Sequence, residues 1–259
     1  MRCFAAVCLL GLSMQAMSHT PYLLPADFEV PRSGWVSLEA SFADTFFVPE
    51  VAFNNDGYQV IAPDGRPHTP DTLFTGRVRT LVEHQLQQEG TWRFSTGQRY
   101  GAEFRTYLLN GRRGSVRDPS QPLPEGAEPL AHFQAVTLAE AYVSLGQPNE
   151  RALQPHGQGL ELVFQTHPNS LFAAEPIELQ LLFDGKPLPE QVVRVFAAGS
   201  DDDSPAELEL ESDALGSLRF QLQQPGRYLL LSRYRHPAPE TASVPEYSYS
   251  YSVVIDVTH

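Results

Sequence analysis

Ile177-Glu178-Leu179-Gln180-Leu181-Leu182-Phe183-Asp184-Gly185 is a strand-length run that ends on a turn dipeptide. The same punctuation recurs on both sides of it. Leu160 to Phe164, Val192 to Ala197, Ala206 to Glu211, Leu218 to Leu222, Tyr228 to Arg235 and Tyr247 to Val257 are further strand-like runs. Seven strands in about 100 residues is the count of an immunoglobulin-like sandwich, so residues 160–259 are expected to form one.

Upstream the pattern continues. Trp35 to Ala40, Tyr58 to Ala62, Arg77 to Leu86, Thr91 to Ser95 and Glu103 to Leu109 read as strands, separated by turns such as Pro63-Asp64-Gly65 and Asn110-Gly111. Leu130 to Val143 alternates again, with Phe133, Ala135, Thr137, Ala139 and Ala141 on one face. The polar, proline-bearing stretch Arg112 to Glu128 reads as a long surface loop. Gly146 to Gly159 carries no periodic signal and reads as a linker. Gln87-Gln88-Glu89-Gly90-Thr91-Trp92 is echoed by Gln223-Gln224-Pro225-Gly226-Arg227-Tyr228. The expected fold class is therefore all-β, with two immunoglobulin-like β-sandwich domains in tandem, 19–145 and 160–259, joined by 146–159. A single sandwich with an irregular N-terminal extension is the alternative.

Of the 259 residues, 42% are hydrophobic and 19% charged, which fits a globular chain and excludes a disordered one. A net charge of −13 argues against nucleic acid and anionic membrane surfaces as partners. Residues 1–18 read as a signal peptide: Arg2, the apolar run Phe4 to Leu12, then Ala16-Met17-Ser18 with small residues at −3 and −1. No later run approaches the ~18 apolar residues that span a bilayer. The expectation is a periplasmic protein without membrane insertion. Cys3, Cys8 and all three methionines fall within the expected leader, so a metal held by the mature chain would rest on nitrogen and oxygen.

Cleavage after Ser18 makes His19 the first mature residue. Its free α-amine and ring Nδ1 then chelate one metal ion without help from the rest of the fold. The α-amine has a reference pKa of ~7.7–8.0, so its deprotonation costs little near neutral pH. One more imidazole would complete the three-nitrogen, T-shaped set called a histidine brace, a geometry suited to Cu(II) or Ni(II). The other amino-terminal motif for these ions needs histidine third, where this sequence has Pro21. Against this stands chance, since some residue must follow any cleavage site.

The partner imidazole is open. His132 opens a long strand on the face opposite its apolar stripe and is the first choice. His84, on an apolar strand face, is the second, or a core histidine satisfied by one backbone bond. His167 in Thr166-His167-Pro168-Asn169 and His236 in Arg235-His236-Pro237 read as turn or seam residues, and His68, His156 and His259 as exposed ones. Asp201-Asp202-Asp203 lacks a spaced calcium pattern. Tyr247, Tyr249 and Tyr251 share a strand face, as core or as a sugar-stacking platform. Hydrolase, kinase and dithiol-redox motifs are missing.

An ordered series of short segments carries a family likeness: His19-Thr20-Pro21-Tyr22-Leu23, Ala40-Ser41-Phe42-Ala43-Asp44 leading to Phe47-Val48-Pro49-Glu50, Ala131-His132-Phe133-Gln134, Thr137-Leu138-Ala139-Glu140, Gly159-Leu160-Glu161-Leu162, Thr166-His167-Pro168-Asn169, Phe183-Asp184-Gly185-Lys186-Pro187-Leu188 and Pro225-Gly226. Together they resemble a bacterial family of periplasmic proteins often labelled as components of nickel or cobalt uptake systems. The resemblance implies a two-part periplasmic β-sandwich protein with a metal-handling role and no catalytic motif to carry over. With the His19 reading, the leading expectation is capture of copper, nickel or cobalt, with a membrane metal transporter as partner. Two other functions stand beside it. One is a copper-dependent polysaccharide oxygenase, which also uses an N-terminal histidine; the other is a structural or adhesive module without metal.

Overall fold

The computed structural model describes residues 19–259 except Ser33, Pro119 and Asp202; the expected signal peptide, 1–18, lies outside the described residues. Among those residues every regular element is a strand, save one 3-10 turn at Arg151–Leu153. Among the described residues no helix is long and apolar enough to cross a membrane. The chain opens with β1 (Thr20–Pro25), β2 (Glu29–Val30), β3 (Gly34–Ala43) and β4 (Val51–Ala52). It continues through β5 (Gln59–Ile61), β6 (Pro67–His68), β7 (Thr72–Thr75), β8 (Thr80–Leu86) and β9 (Gly90–Ser95). A long hairpin follows, β10 (Arg99–Leu109) and β11 (Arg112–Val116), before the chain returns as β12 (Glu128–Leu145). After the 3-10 turn come β13 (Leu160–Phe164), β14 (Ile177–Phe183), β15 (Lys186–Pro187) and β16 (Val192–Ala197). The last four are β17 (Leu208–Glu211), β18 (Ser217–Phe220), β19 (Gly226–Pro237) and β20 (Glu246–Val257).

Two β-sandwiches follow one another along the chain, and they share a sheet. One outer sheet has the order β1-β3-β8-β7, with β4 on β3; the other has β13-β14-β15, with β18 on β14. Between them runs a central sheet, β17-β16-β19-β20-β12-β9-β5-β6, to which β2, β10 and β11 also belong. The join is the parallel ladder of β12 on β20, from Phe133↔Glu246 to Ala141↔Val254.

Side-chain alternation explains how one strand serves two cores. Ala139, Ala141, Val143 and Leu145 of β12 enter the core with Val36, Leu38, Trp92 and Phe94. Leu138 and Tyr142, pointing the other way, enter the core with Leu160, Leu181, Leu230 and Tyr251. Leu229 and Val254 face a third cluster with Tyr22, Phe28, Phe46 and Phe196. Strands covered on both faces read as continuous apolar runs, which is why Leu229-Leu230-Leu231 and Val253-Val254-Ile255 break the polar alternation.

The stretch expected as a surface loop, 112–128, begins instead with β11. Asn110 (φ 52°) and Gly111 (φ 77°) both adopt the left-handed conformation of a tight hairpin turn, so the chain doubles straight back on β10. Arg112-Arg113-Gly114-Ser115-Val116 is a mostly exposed edge strand, and such a strand carries no apolar alternation to announce it. Residues 146–159, read as the linker, are packed: Leu153 lies in the second core, and the Asn149 side chain binds the Thr91 amide at 3.2 Å and the Pro63 carbonyl at 3.0 Å.

Thr166-His167-Pro168-Asn169 fastens the two sandwiches together. The Asn169 side chain donates to the Phe28 and Tyr142 carbonyls, both at 3.1 Å, and accepts from Ser144 Oγ at 2.9 Å. The Asn169 amide donates to His167 Nδ1 at 3.1 Å, which leaves Nε2 protonated and facing Thr91 Oγ1 at 2.9 Å and the Asn149 carbonyl at 3.2 Å. Every polar group in this buried knot has a partner, as a low-dielectric seam demands.

Candidate metal centre

Antiparallel register sets Thr20 of β1 opposite Ala43 of β3. His19 and Asp44, one step beyond, therefore face each other across the end of the ladder. Residues 44–50 then fold back, and β4 pairs with β3 at Phe42↔Val51, which returns Glu50 to the same corner. The turn is held by backbone bonds from Val48 to Thr45 (2.8 Å) and from Glu50 to Phe42 (3.2 Å), and by Phe46, which is fully buried against the second sandwich. Ser41 Oγ braces it from below through the Val51 and Val78 carbonyls, at 3.0 and 2.7 Å.

Three ligand atoms converge there. His19 Nδ1 lies 2.8 Å from Asp44 Oδ1 and 3.3 Å from Glu50 Oε2, with all three mutually within 4.8 Å. The second Glu50 oxygen accepts the Asp44 amide at 3.0 Å, which fixes the carboxylate plane. Despite the short distances, Nδ1 makes no hydrogen bond. Donors about 2.0–2.1 Å from a metal and at right angles to one another stand ~2.8–3.0 Å apart, close to the spacings seen. Two carboxylates beside one imidazole concentrate negative charge that a cation relieves. The three side chains are 36–42% exposed, so an ion has an open way in.

The ring nitrogen facing the carboxylates is Nδ1, the one that closes a chelate ring with the residue's own α-amine. The atoms that converge are one nitrogen and two oxygens, where sequence led us to expect imidazoles beside His19. Among the described residues His19, Asp44 and Glu50 form the one cluster of this kind; neither His132 nor His84 joins it.

His132 is on the wrong face. It alternates with Leu138 and Tyr142, toward the second outer sheet, whereas β1 packs on the opposite face, where Ser252 Oγ donates to the Pro21 carbonyl at 2.6 Å. Its Nε2 faces Glu103 at 3.5 Å, and Glu103 also accepts Ser243 Oγ at 2.7 Å. His84 pairs with Val36, eight residues along β3 from Asp44, which is roughly 26 Å at strand spacing. It sits in the first core with its ring 5.4 Å from Trp92 and 6.2 Å from Phe94, and Nδ1 3.0 Å from Asp71.

Burial pulls the His84 pKa down, against the opposing charge of Asp71 and with help from His68. Burial also lowers that of His167, partly countered by its bond to the Asn149 carbonyl. Both rings stay neutral in the fold while their unfolded counterparts protonate below about pH 6.5. Stability is therefore full above that value and falls as pH drops toward the depressed folded values. Melting temperatures between pH 7.5 and 5 should show this decline, and His167→Gln, which keeps a polar side chain at the seam, should flatten it.

Asp44 and Glu50 escaped the sequence reading as ligands although both stand in the segments that carry the family likeness. Their signal was the short return from Asp44 to Glu50 behind a strand that pairs with the N-terminus.

Among the solved structures similar to this chain, three show how low the similarity is. The D0-D1 domain of intimin shares 10% identity over 92% of this chain and 97% of its own length, with a TM-score of 0.23. The Yersinia pseudotuberculosis adhesin InvE shares 11% over 89% of this chain and 58% of its own, at 0.22. Murine CEACAM1b shares 10% over 92% and 99%, also at 0.22. Scores this low carry no weight for function. No curated protein matches the chain. A family model matches residues 16–236, and the chain belongs to that family, described as a domain of unknown function, DUF4198.

Proposed function

We propose that the chain is a periplasmic protein that captures a divalent transition-metal ion, nickel, cobalt or copper, and serves its uptake or homeostasis. The observation that carries this reading is the convergence of His19 Nδ1, Asp44 and Glu50 at the end of the β1–β3 ladder. Processing after Ser18 adds the α-amine as a fourth donor beside Nδ1. A tetragonal nitrogen–oxygen set suits Cu(II) and Ni(II), with Cu(II) favoured by affinity order. The acidic balance, −13 overall, draws cations toward the surface. The resemblance to proteins labelled as nickel or cobalt uptake components supplies the role, and a membrane metal transporter is the partner it implies. Two carboxylates where a brace has its second imidazole take support away from the polysaccharide oxygenase.

Titration of processed protein with Ni(II), Co(II) and Cu(II) tests the reading. His19→Ala should abolish tight binding, whereas His132→Ala and His84→Gln should leave affinity unchanged. Affinity should weaken as pH falls, because amine and imidazole must shed protons to ligate. Equal losses in all three variants would place the ion elsewhere.

A further inference from the structure

A cavity of about 270 Å³ opens at the seam, where β5 and β9 of the first sandwich meet β12 and the 156–158 turn. Its volume falls just below the ~300–1,000 Å³ of pockets for drug-sized ligands, so it suits a single small ring. One wall forms because Gly57 and Gly97 approach backbone to backbone. Gly97 has φ +68°, and a Cβ there would collide with the Gly57 carbonyl.

The floor is charged and buried. The Arg93 side chain is 10% exposed and that of Glu140 3%, yet Arg93 Nε lies 3.8 Å from Glu140 Oε1, too far for a hydrogen bond. Nε has no other hydrogen-bond partner, and His156 Nε2 on the adjoining wall faces Glu161 Oε2 at 3.4 Å. A buried pair that served stability alone would close up, since desolvation is repaid only by good geometry. Here the pair is spread, with Arg93 Nη1 tied to the Gln154 carbonyl (2.9 Å) and Glu140 Oε2 tied to the Tyr251 hydroxyl (2.8 Å). The two charges, held apart, line the cavity.

The remaining walls carry Gln59, Gln98, Gln158 and Ser95. Amides and hydroxyls each donate and accept, the pairing pattern that ligand hydroxyls also show. Glu140 offsets the charge of Arg93, and the second acid nearby, Glu161, accepts the His156 and Gly157 amides at 2.9 Å. That balance disfavours an anion. Gln98 and Tyr249 both crowd Gly159, so a ring stands next to the cavity wall. From it Tyr247 (6.2 Å) and then Tyr100 (5.5 Å further) lead outward, Tyr100 being 54% exposed. Tyrosine faces pair an apolar body with a polar tip, which suits the C–H face of a sugar.

We propose that this seam cavity binds a neutral polyhydroxylated molecule one sugar ring in size, held by Gln59, Gln98 and the floor of Arg93 and Glu140. It is independent of the metal reading, because none of its residues belongs to the His19 corner.

Calorimetry on the full chain with D-glucose, D-galactose, N-acetyl-D-glucosamine and myo-inositol tests it, with phosphate and citrate as anionic probes. At least one neutral probe should bind, and Gln59→Ala and Gln98→Ala should each weaken it about 10-fold, the worth of one or two hydrogen bonds. Ser95→Ala, a smaller change, should weaken it less, and melting temperatures should confirm that all three variants fold. The proposal is overturned if no neutral probe binds, if phosphate or citrate binds as well as the sugars, or if the folded variants bind like the parent.

Discussion

Adding one residue before His19 is expected to lower Ni(II) and Cu(II) affinity on the order of 100-fold or more, although every side chain stays in place. The extension converts the α-amine into a peptide nitrogen, which ligates only after losing an amide proton. It also opens the chelate ring that amine and Nδ1 close together. Loss of an outer partner alone typically costs 10–100-fold in metal affinity, so loss of a direct donor should cost at least as much. Asp44 and Glu50 would still face Nδ1 at 2.8 and 3.3 Å, and weak binding on one nitrogen and two oxygens should remain. Calorimetry on the parent and the extended protein checks this. Unchanged affinity would mean that the amine takes no part.

The second large effect is on stability. Glu140→Ala is expected to cost about 3–5 kcal/mol, the penalty for leaving a buried charge without its partner. At roughly 2–4 °C per kcal/mol for a chain of this size, the melting temperature should fall by roughly 6–20 °C. Arg93 would lose its counter-charge, and the Tyr251 hydroxyl, which burial and the charge of Glu140 keep protonated, would lose its acceptor. These groups lie where β12, β9 and β20 meet, so the loss reaches both sandwiches. The double variant Arg93→Met, Glu140→Leu should recover part of the deficit, since an apolar pair of similar volume is tolerated where a lone charge is not. Thermal unfolding of the single and double variants separates the two cases: a double variant no more stable than Glu140→Ala would place the cost in packing instead of charge.

Much of the fold was legible. Leu160–Phe164, Ile177–Phe183 and Val192–Ala197 are strands with the bounds that alternation and turn residues suggested. Several strands were not. β1 begins Thr20-Pro21-Tyr22-Leu23, apolar toward both neighbours and carrying prolines that only an edge strand tolerates. β7 is four exposed residues, and β11 follows an Asn-Gly turn without apolar marks. Nor does anything local announce the shared sheet. The pairing of β12 with β20 is parallel and joins distant parts of the chain, and only the doubly apolar runs in β19 and β20 hint that both faces are covered.

Of the three clustered residues, the sequence reading singled out His19 and its Nδ1. The choice of His132 and His84 weighed imidazoles by type, whereas position is set by strand register and face, and neither ring lies in this corner. Asp44 and Glu50 reach His19 through the β1–β3 ladder and the return to β4, neither of which shows in residue types alone.

The most direct measurement is an equilibrium titration of Ni(II) and Cu(II) into protein whose intact mass shows His19 as its first residue, beside the double variant Asp44→Asn, Glu50→Gln. One ion per chain should bind the parent, and the variant, which keeps size and polarity but removes both carboxylates, should bind far more weakly. Failure of the parent to bind either ion, or equal affinity in the variant, would contradict a metal centre built from His19, Asp44 and Glu50.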